Sequence, residues 1–224
     1  MNHRNLCKVL AALLCYPDAQ LRQAAGDLAD VVQAQPELPA EHRASLLALI
    51  NELVQCDPFD LEARYVDCFD RGRSTSLHLF EHVHGDSRER GPAMVDLAQT
   101  YEQAGLYLDD SELPDYLPVV LEFVSTQPAD VAKGFLAEMA HILNAIHTAL
   151  AKRSSPYAAV LATTLWLAGE RIEHLALPDE KPMDEDWQEP EAFGGCTSAG
   201  QSRPDQPQPI HIVRNAQGRP GASA

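Results

Sequence analysis

Prolines divide this chain into segments, and within most of them apolar residues return every three or four positions. That period lets an α-helix bury one face, whereas a half-buried strand would show strict alternation. Leu6, Val9, Leu10, Leu13 and Leu14 form the first such stripe, which Tyr16-Pro17 stops. Leu21, Leu28, Val31 and Val32 read as a second helix ended by Pro36. Pro39 opens a third, with Leu46, Leu47, Ile50, Leu53 and Val54 on one side. Asp57-Pro58 is a strong start signal, because Asp caps the free N–H groups of a first turn and proline suits its first position. Leu61, Tyr65, Cys68 and Phe69 follow at helical spacing toward Gly72.

The pattern resumes at Gly91-Pro92 with Met94, Leu97, Ala98 and Tyr101, closed by Gly105. Pro114 begins a shorter helix. Pro128 opens a long one that keeps Val131, Phe135, Met139, Ile142, Ile146 and Leu150 in register over about five turns. Pro156 opens the last, with Leu161, Leu165, Ala168, Ile172 and Leu175 inward. No segment reads as a strand. The expected fold is all-α, a single helical bundle over residues 1–177. From Pro178 to Ala224 the chain carries seven of its sixteen prolines, a Gly-Gly pair and little apolar periodicity. Such sequence buries too little surface to offset its ordering entropy, so residues 178–224 are expected to be a disordered acidic tail.

Charge and cysteine usage narrow the function. A net charge of −16 argues against a nucleic-acid binder, which needs a Lys/Arg stripe, and favours a partner with a basic segment. The five cysteines are odd in number and include no C-x-x-C pair, so neither a disulfide framework nor a zinc ribbon is indicated. Free cysteines at apolar positions fit a reducing cytoplasm. Arg4 and Lys8 before "VLAALLC" imitate a short secretory signal, but the apolar run is brief and reads as the first core helix. Nothing approaches the roughly 18–20 apolar residues of a membrane span, so no direct membrane insertion is expected.

Residues 73–85, "RSTSLHLFEHVHG", carry the sharpest motif. His78, Glu81 and His82 spell H-x-x-E-H, a spacing used by zinc peptidases of the inverted type. If a helix runs from a cap at Ser74–Ser76 to Gly85, the two imidazoles lie one turn apart and Glu81 could serve as general base. Against this, the helix would be only about two turns long between loops, while catalytic ligands need a rigid supporting shell. The reading preferred is a non-enzyme without metal or cofactor. Asp70, Arg71, Arg73, Asp86, Arg88 and Arg90 flank the segment, and Leu77, Leu79, Phe80 and Val83 lie within it. That mixture suggests a polar network holding an irregular connection, and a surface suited to docking a peptide.

Residues 65–97, "YVDCFDRGRSTSLHLFEHVHGDSRERGPAMVDL", resemble the signature of the respiratory nitrate reductase delta-subunit chaperones, the NarJ type. Residues 112–124, "ELPDYLPVVLEFV", are similar to the E-x-P-D-H-L…E-F motif of the wider TorD-like redox-enzyme maturation chaperones. The likeness extends over most of residues 4–175. It implies a cytoplasmic, all-helical chaperone of the TorD/NarJ-like type that is absent from the finished enzyme. Its partner would be the apo catalytic molybdenum subunit of nitrate reductase, alone or as the alpha–beta complex, and especially that subunit's N-terminal segment. The resemblance implies that the chaperone keeps this subunit competent for insertion of the molybdenum cofactor, delays membrane docking and then dissociates. Tyr116 stands where the wider motif has histidine, which puts a titratable role there in doubt.

A helical peptide in a groove needs apolar anchors and rim charges. Tyr65, Phe69, Leu117, Leu121 and Phe123 are the anchors expected, with Glu81, Asp115 and Glu122 at the rim. Arg71, Arg73, His78, His82 and Tyr116 complete the expected partner-binding set. Rival readings are the zinc peptidase, a generic holdase and a nucleotide-dependent factor. For the last, the sequence offers no G-x-x-x-x-G-K-[ST] or G-x-G-x-x-G phosphate cradle.

Overall fold

Helix α1 (His3–Leu13) buries Leu6, Cys7, Val9, Leu10, Ala11 and Leu13, which is more than one stripe, and so it belongs inside the bundle. The computed structural model describes residues 3–85, 87–109 and 112–173. All of them fall in one compact unit. The expected tail from residue 178, with Cys196, and the inward assignment of Leu175 lie outside the described residues, as does Asp86.

The helix expected across Leu21–Val32 is two: α2 (Ala19–Gln23) and α3 (Ala25–Gln33). Ala24 (φ −78°, ψ −5°) turns its N–H onto Gln20 O and Arg22 O, and the change of direction seats Ala25 and Val32 in the core. Leu21, Leu28 and Val31 are left half-buried at the margin. Helix α4 (Ala40–Gln55) follows Pro39 as expected, but Val54 is 60% exposed and Leu49 joins the buried face instead. In α5 (Pro58–Phe69), Asp57 Oδ1 accepts the Phe59 N–H at 2.9 Å, the cap that the sequence predicts.

After α5 come a single 3₁₀ turn (Arg73–Thr75), the short α6 (Leu79–His84) and α7 (Arg90–Gln103). Gly105 (φ +81°) closes the turn beyond α7 in a conformation open to glycine at little cost. Helix α8 (Leu117–Thr126) begins three residues after Pro114, because the backbone of 115–117 bonds to the histidine segment. Nearly all of α8 is apolar and buried, and it packs along α1 at the centre of the bundle.

The long helix expected from Pro128 breaks at Met139 (φ −96°, ψ 3°) into α9 (Ala129–Glu138) and α10 (Ala140–Lys152). The break lets both pieces pack on α11 (Ala158–Ala168). Its consequence is a shifted seam: Ala132 and Leu136 are buried, while Val131 is 48% exposed. Gly169 (φ +77°) ends α11, so Ile172 lies beyond the helix and is exposed rather than inward. Among the described residues, β pairing is confined to one isolated antiparallel bridge, His78 with Tyr116. No described helix is long and apolar enough to cross a membrane.

Candidate functional site

The histidine segment is pinned to the start of α8 through a buried carboxylate. Leu79 N–H donates to Asp115 O at 3.0 Å and Leu117 N–H to Leu77 O at 2.8 Å, forming the bridge. Asp115 is wholly buried, and its Oδ2 accepts the Phe80 N–H at 3.1 Å. Arg90 Nη2 stands 3.6 Å from that oxygen and 3.3 Å from Glu81 Oε1. A buried carboxylate is tolerated when it is paired and hydrogen-bonded in this way. Ser76 Oγ donates to Glu81 Oε2 at 2.5 Å, and Thr75 Oγ1 donates to Cys68 O. Of the flanking charges expected to form a polar network, Arg90 joins this one, while Arg71 pairs with Asp67 at the surface, at 3.7 Å.

His78 is not in α6. Its backbone is extended (φ −86°, ψ 103°) and its ring lies against Tyr116, with centroids 5.2 Å apart. The one-turn relation between His78 and His82 on a common helical face therefore does not form. His78 Nδ1 is 3.4 Å from Asp115 Oδ1, while His82 Nε2 is 2.9 Å from Ser76 O. Among the described residues, no group of three His, Cys, Asp or Glu side chains is arranged to hold a metal ion.

The structure distributes the expected binding residues over the core and two grooves. Tyr65 and Phe69 are buried, with ring centroids 4.9 Å apart, and Phe69 is equally close to Tyr157. Tyr65 Oη donates to Leu14 O at 2.8 Å, and burial raises its pKa strongly. Leu117 and Leu121 are fully buried. Phe123 packs between Tyr101 and Phe135, at 4.6 and 5.0 Å. Asp115, expected at a rim, is interior; Glu81 and His82 are half-buried; Glu122, Arg71 and Arg73 are exposed.

One groove of about 790 Å³ runs beside α5, lined by Tyr16, Phe59, Glu62, Val66, Arg71 and Tyr157. The second, about 480 Å³, lies between α1, the α7–α8 connection and α8, with Leu106, Tyr107, Glu112, Val119, Glu122 and Phe123 among its walls. Tyr107 and Phe59 are 80% and 79% exposed, and Tyr16 is 45% exposed. Sequence reasoning missed these three aromatics. The signal available was an aromatic off the helical stripe: Tyr107 follows Gly105 in a connection, and Phe59 faces away from Leu61, Tyr65 and Phe69.

Comparison with known proteins covers both motif stretches. The family model for the nitrate reductase delta subunit matches residues 18–163. The nitrate reductase molybdenum cofactor assembly chaperone NarJ of Escherichia coli K12 is 44% identical over 165 residues, covering 74% of this chain and 70% of that one. The probable chaperone NarW of the same organism is 40% identical over 167 residues, 75% of this chain and 69% of that one. In Bacillus subtilis 168, the probable chaperone NarJ is 31% identical over 156 residues, 70% and 84% of the two chains. Matched by the family model over more than half its length, and similar across the bundle to these chaperones, the chain belongs to the nitrate reductase delta subunit family.

Proposed function

We propose that this protein is a dedicated assembly chaperone: it binds the catalytic molybdenum subunit of a nitrate reductase and holds it competent for cofactor insertion. The observation that carries this reading is the 44% identity over 165 residues to a chaperone named for that task. The finer reading is that the first contact is with the catalytic subunit's N-terminal segment, in the cytoplasm, and that binding delays membrane docking until assembly ends. The chain's net charge of −16 suits a basic target segment. It acts by binding rather than by turnover, and no cofactor of its own enters the mechanism.

Energetically, such a chaperone needs affinity high enough to shield an unfinished partner and low enough to release a finished one. Apolar grooves with exposed aromatics contribute to the affinity, and a charged rim contributes association rate and selectivity. The test is capture by the tagged full-length chain from cells that make the catalytic subunit but cannot complete its cofactor. Retention of the apo subunit, lost when that subunit's N-terminal segment is deleted, is the expected result. Capture of unrelated unfolded proteins to the same extent would instead identify a generic holdase.

A further inference from the structure

We infer that helix α7 is a flap: it opens as a unit about Gly85 and Gly105, is shut by a clasp at Pro114–Asp115, and bares an apolar face when it opens. The inference concerns the free chain and holds whichever partner that chain takes.

Helix α7 is shallowly seated. Of its fourteen residues only Leu97 and Tyr101 are buried, whereas the ten of α8 include eight. Among the described helices, the six-residue α6 is the only one in extended contact with it. A glycine with positive φ stands on either side: Gly85 (φ +51°) after α6, and Gly105 (φ +81°) two residues past the end of α7. A Cβ placed on either would meet no atom within 4 Å, so nothing crowds these two turns. Glycine also passes between positive and negative φ at little cost. The backbone bonds of both turns are local. Ser87 N–H donates to His84 O at 2.9 Å and Arg90 N–H to Ser87 O at 3.2 Å, while Ala104 and Leu106 N–H donate to Tyr101 O at 3.0 and 2.9 Å. Rotation about the two glycines therefore breaks no long-range backbone bond among the described residues.

What holds α7 down are side chains near its two ends, and both close on consecutive residues. Arg90 Nη2 stands 3.6 Å from Asp115 Oδ2, and Tyr101 Oη donates to Pro114 O at 2.8 Å. Arg90 also meets Glu81 of α6 at 3.3 Å. Between these ends Leu97 and the Tyr101 ring supply the apolar contact, the ring lying 4.6 Å from Phe123. An element with few buried side chains and few tertiary bonds has a low opening free energy, so α7 opens ahead of the core-enclosed α8 and α10. Lifting it bares Leu97, Tyr101 and Phe123. Shown to water only transiently, that apolar surface is kept from self-association while no partner is bound.

Hydrogen exchange of the free full-length chain, read by mass spectrometry, tests the flap. The amides of α7 should exchange as a group, about tenfold or more faster than those of α8 and α10. Tyr101→Phe keeps the ring and removes the bond to Pro114 O. It should quicken exchange in α7 by a further factor of about five, as expected for one hydrogen bond, and leave α10 as it is. Thiol labelling gives a second reading. In Leu97→Cys, modification of the new thiol should outpace that of the buried Cys7 about tenfold or more, and quicken about fivefold when Tyr101→Phe is added. Exchange of α7 in step with α8 and α10, equal acceleration of all three by Tyr101→Phe, or no acceleration overturns the flap. So does labelling at position 97 no faster than at Cys7.

Discussion

The buried carboxylate of Asp115 accepts the backbone N–H of Phe80 at 3.1 Å, across thirty-five residues of sequence. Asp115→Ala would leave that buried donor without its acceptor and Arg90 with Glu81 alone. The expected cost is about 3 kcal/mol of unfolding free energy, and Asp115→Asn, which keeps the shape and one acceptor, should cost less. Urea unfolding of the two variants checks this. An alanine variant as stable as the parent would mean that the carboxylate does not hold the segment.

The His78 imidazole is partly exposed and meets Asp115 only at 3.4 Å, so His78→Ala should change stability by less than about 1 kcal/mol. Metal analysis of the purified protein should find no stoichiometric zinc, since His78 lies outside α6 and His82 faces Ser76 O. One tightly held zinc per chain, lost on mutating either histidine, would revive the peptidase reading.

Phe123 and Tyr107 separate packing from binding. Phe123 is enclosed by Tyr101 and Phe135, so Phe123→Ala should cost about 3–5 kcal/mol of stability. Tyr107 is 80% exposed, so Tyr107→Ala should leave stability within about 0.5 kcal/mol while weakening partner capture. Thermal unfolding read beside capture tells the two roles apart. Weaker capture by Phe123→Ala alone would be ambiguous, because its fold is expected to suffer.

Removing residues 178–224 should leave helicity and melting temperature of the bundle nearly unchanged, because proline-rich polar sequence supplies little buried apolar area. Circular dichroism of the shortened chain is the measurement. A large cooperative loss of stability would move the domain boundary into that region.

The all-helical class was legible in the sequence because apolar period and capping are local properties. Asp57-Pro58 starts α5, Pro39 precedes α4 and Gly105 closes the turn after α7, each through bonds spanning a few residues. The two long motifs likewise named the family. Period alone could not place the breaks at Ala24 and Met139. Ordinary residues occupy both positions, and the break there follows from the different directions in which neighbouring helices must pack. Nor could it separate Asp115 from Glu122. Both read as rim carboxylates, but one is enclosed by the Leu77–Phe80 backbone and Arg90 while the other faces water. Helical spacing marks which side chains share a face. Which faces stay open, and so why Tyr65 and Phe69 pack while Phe59 and Tyr107 protrude, depends on contacts between helices distant in sequence.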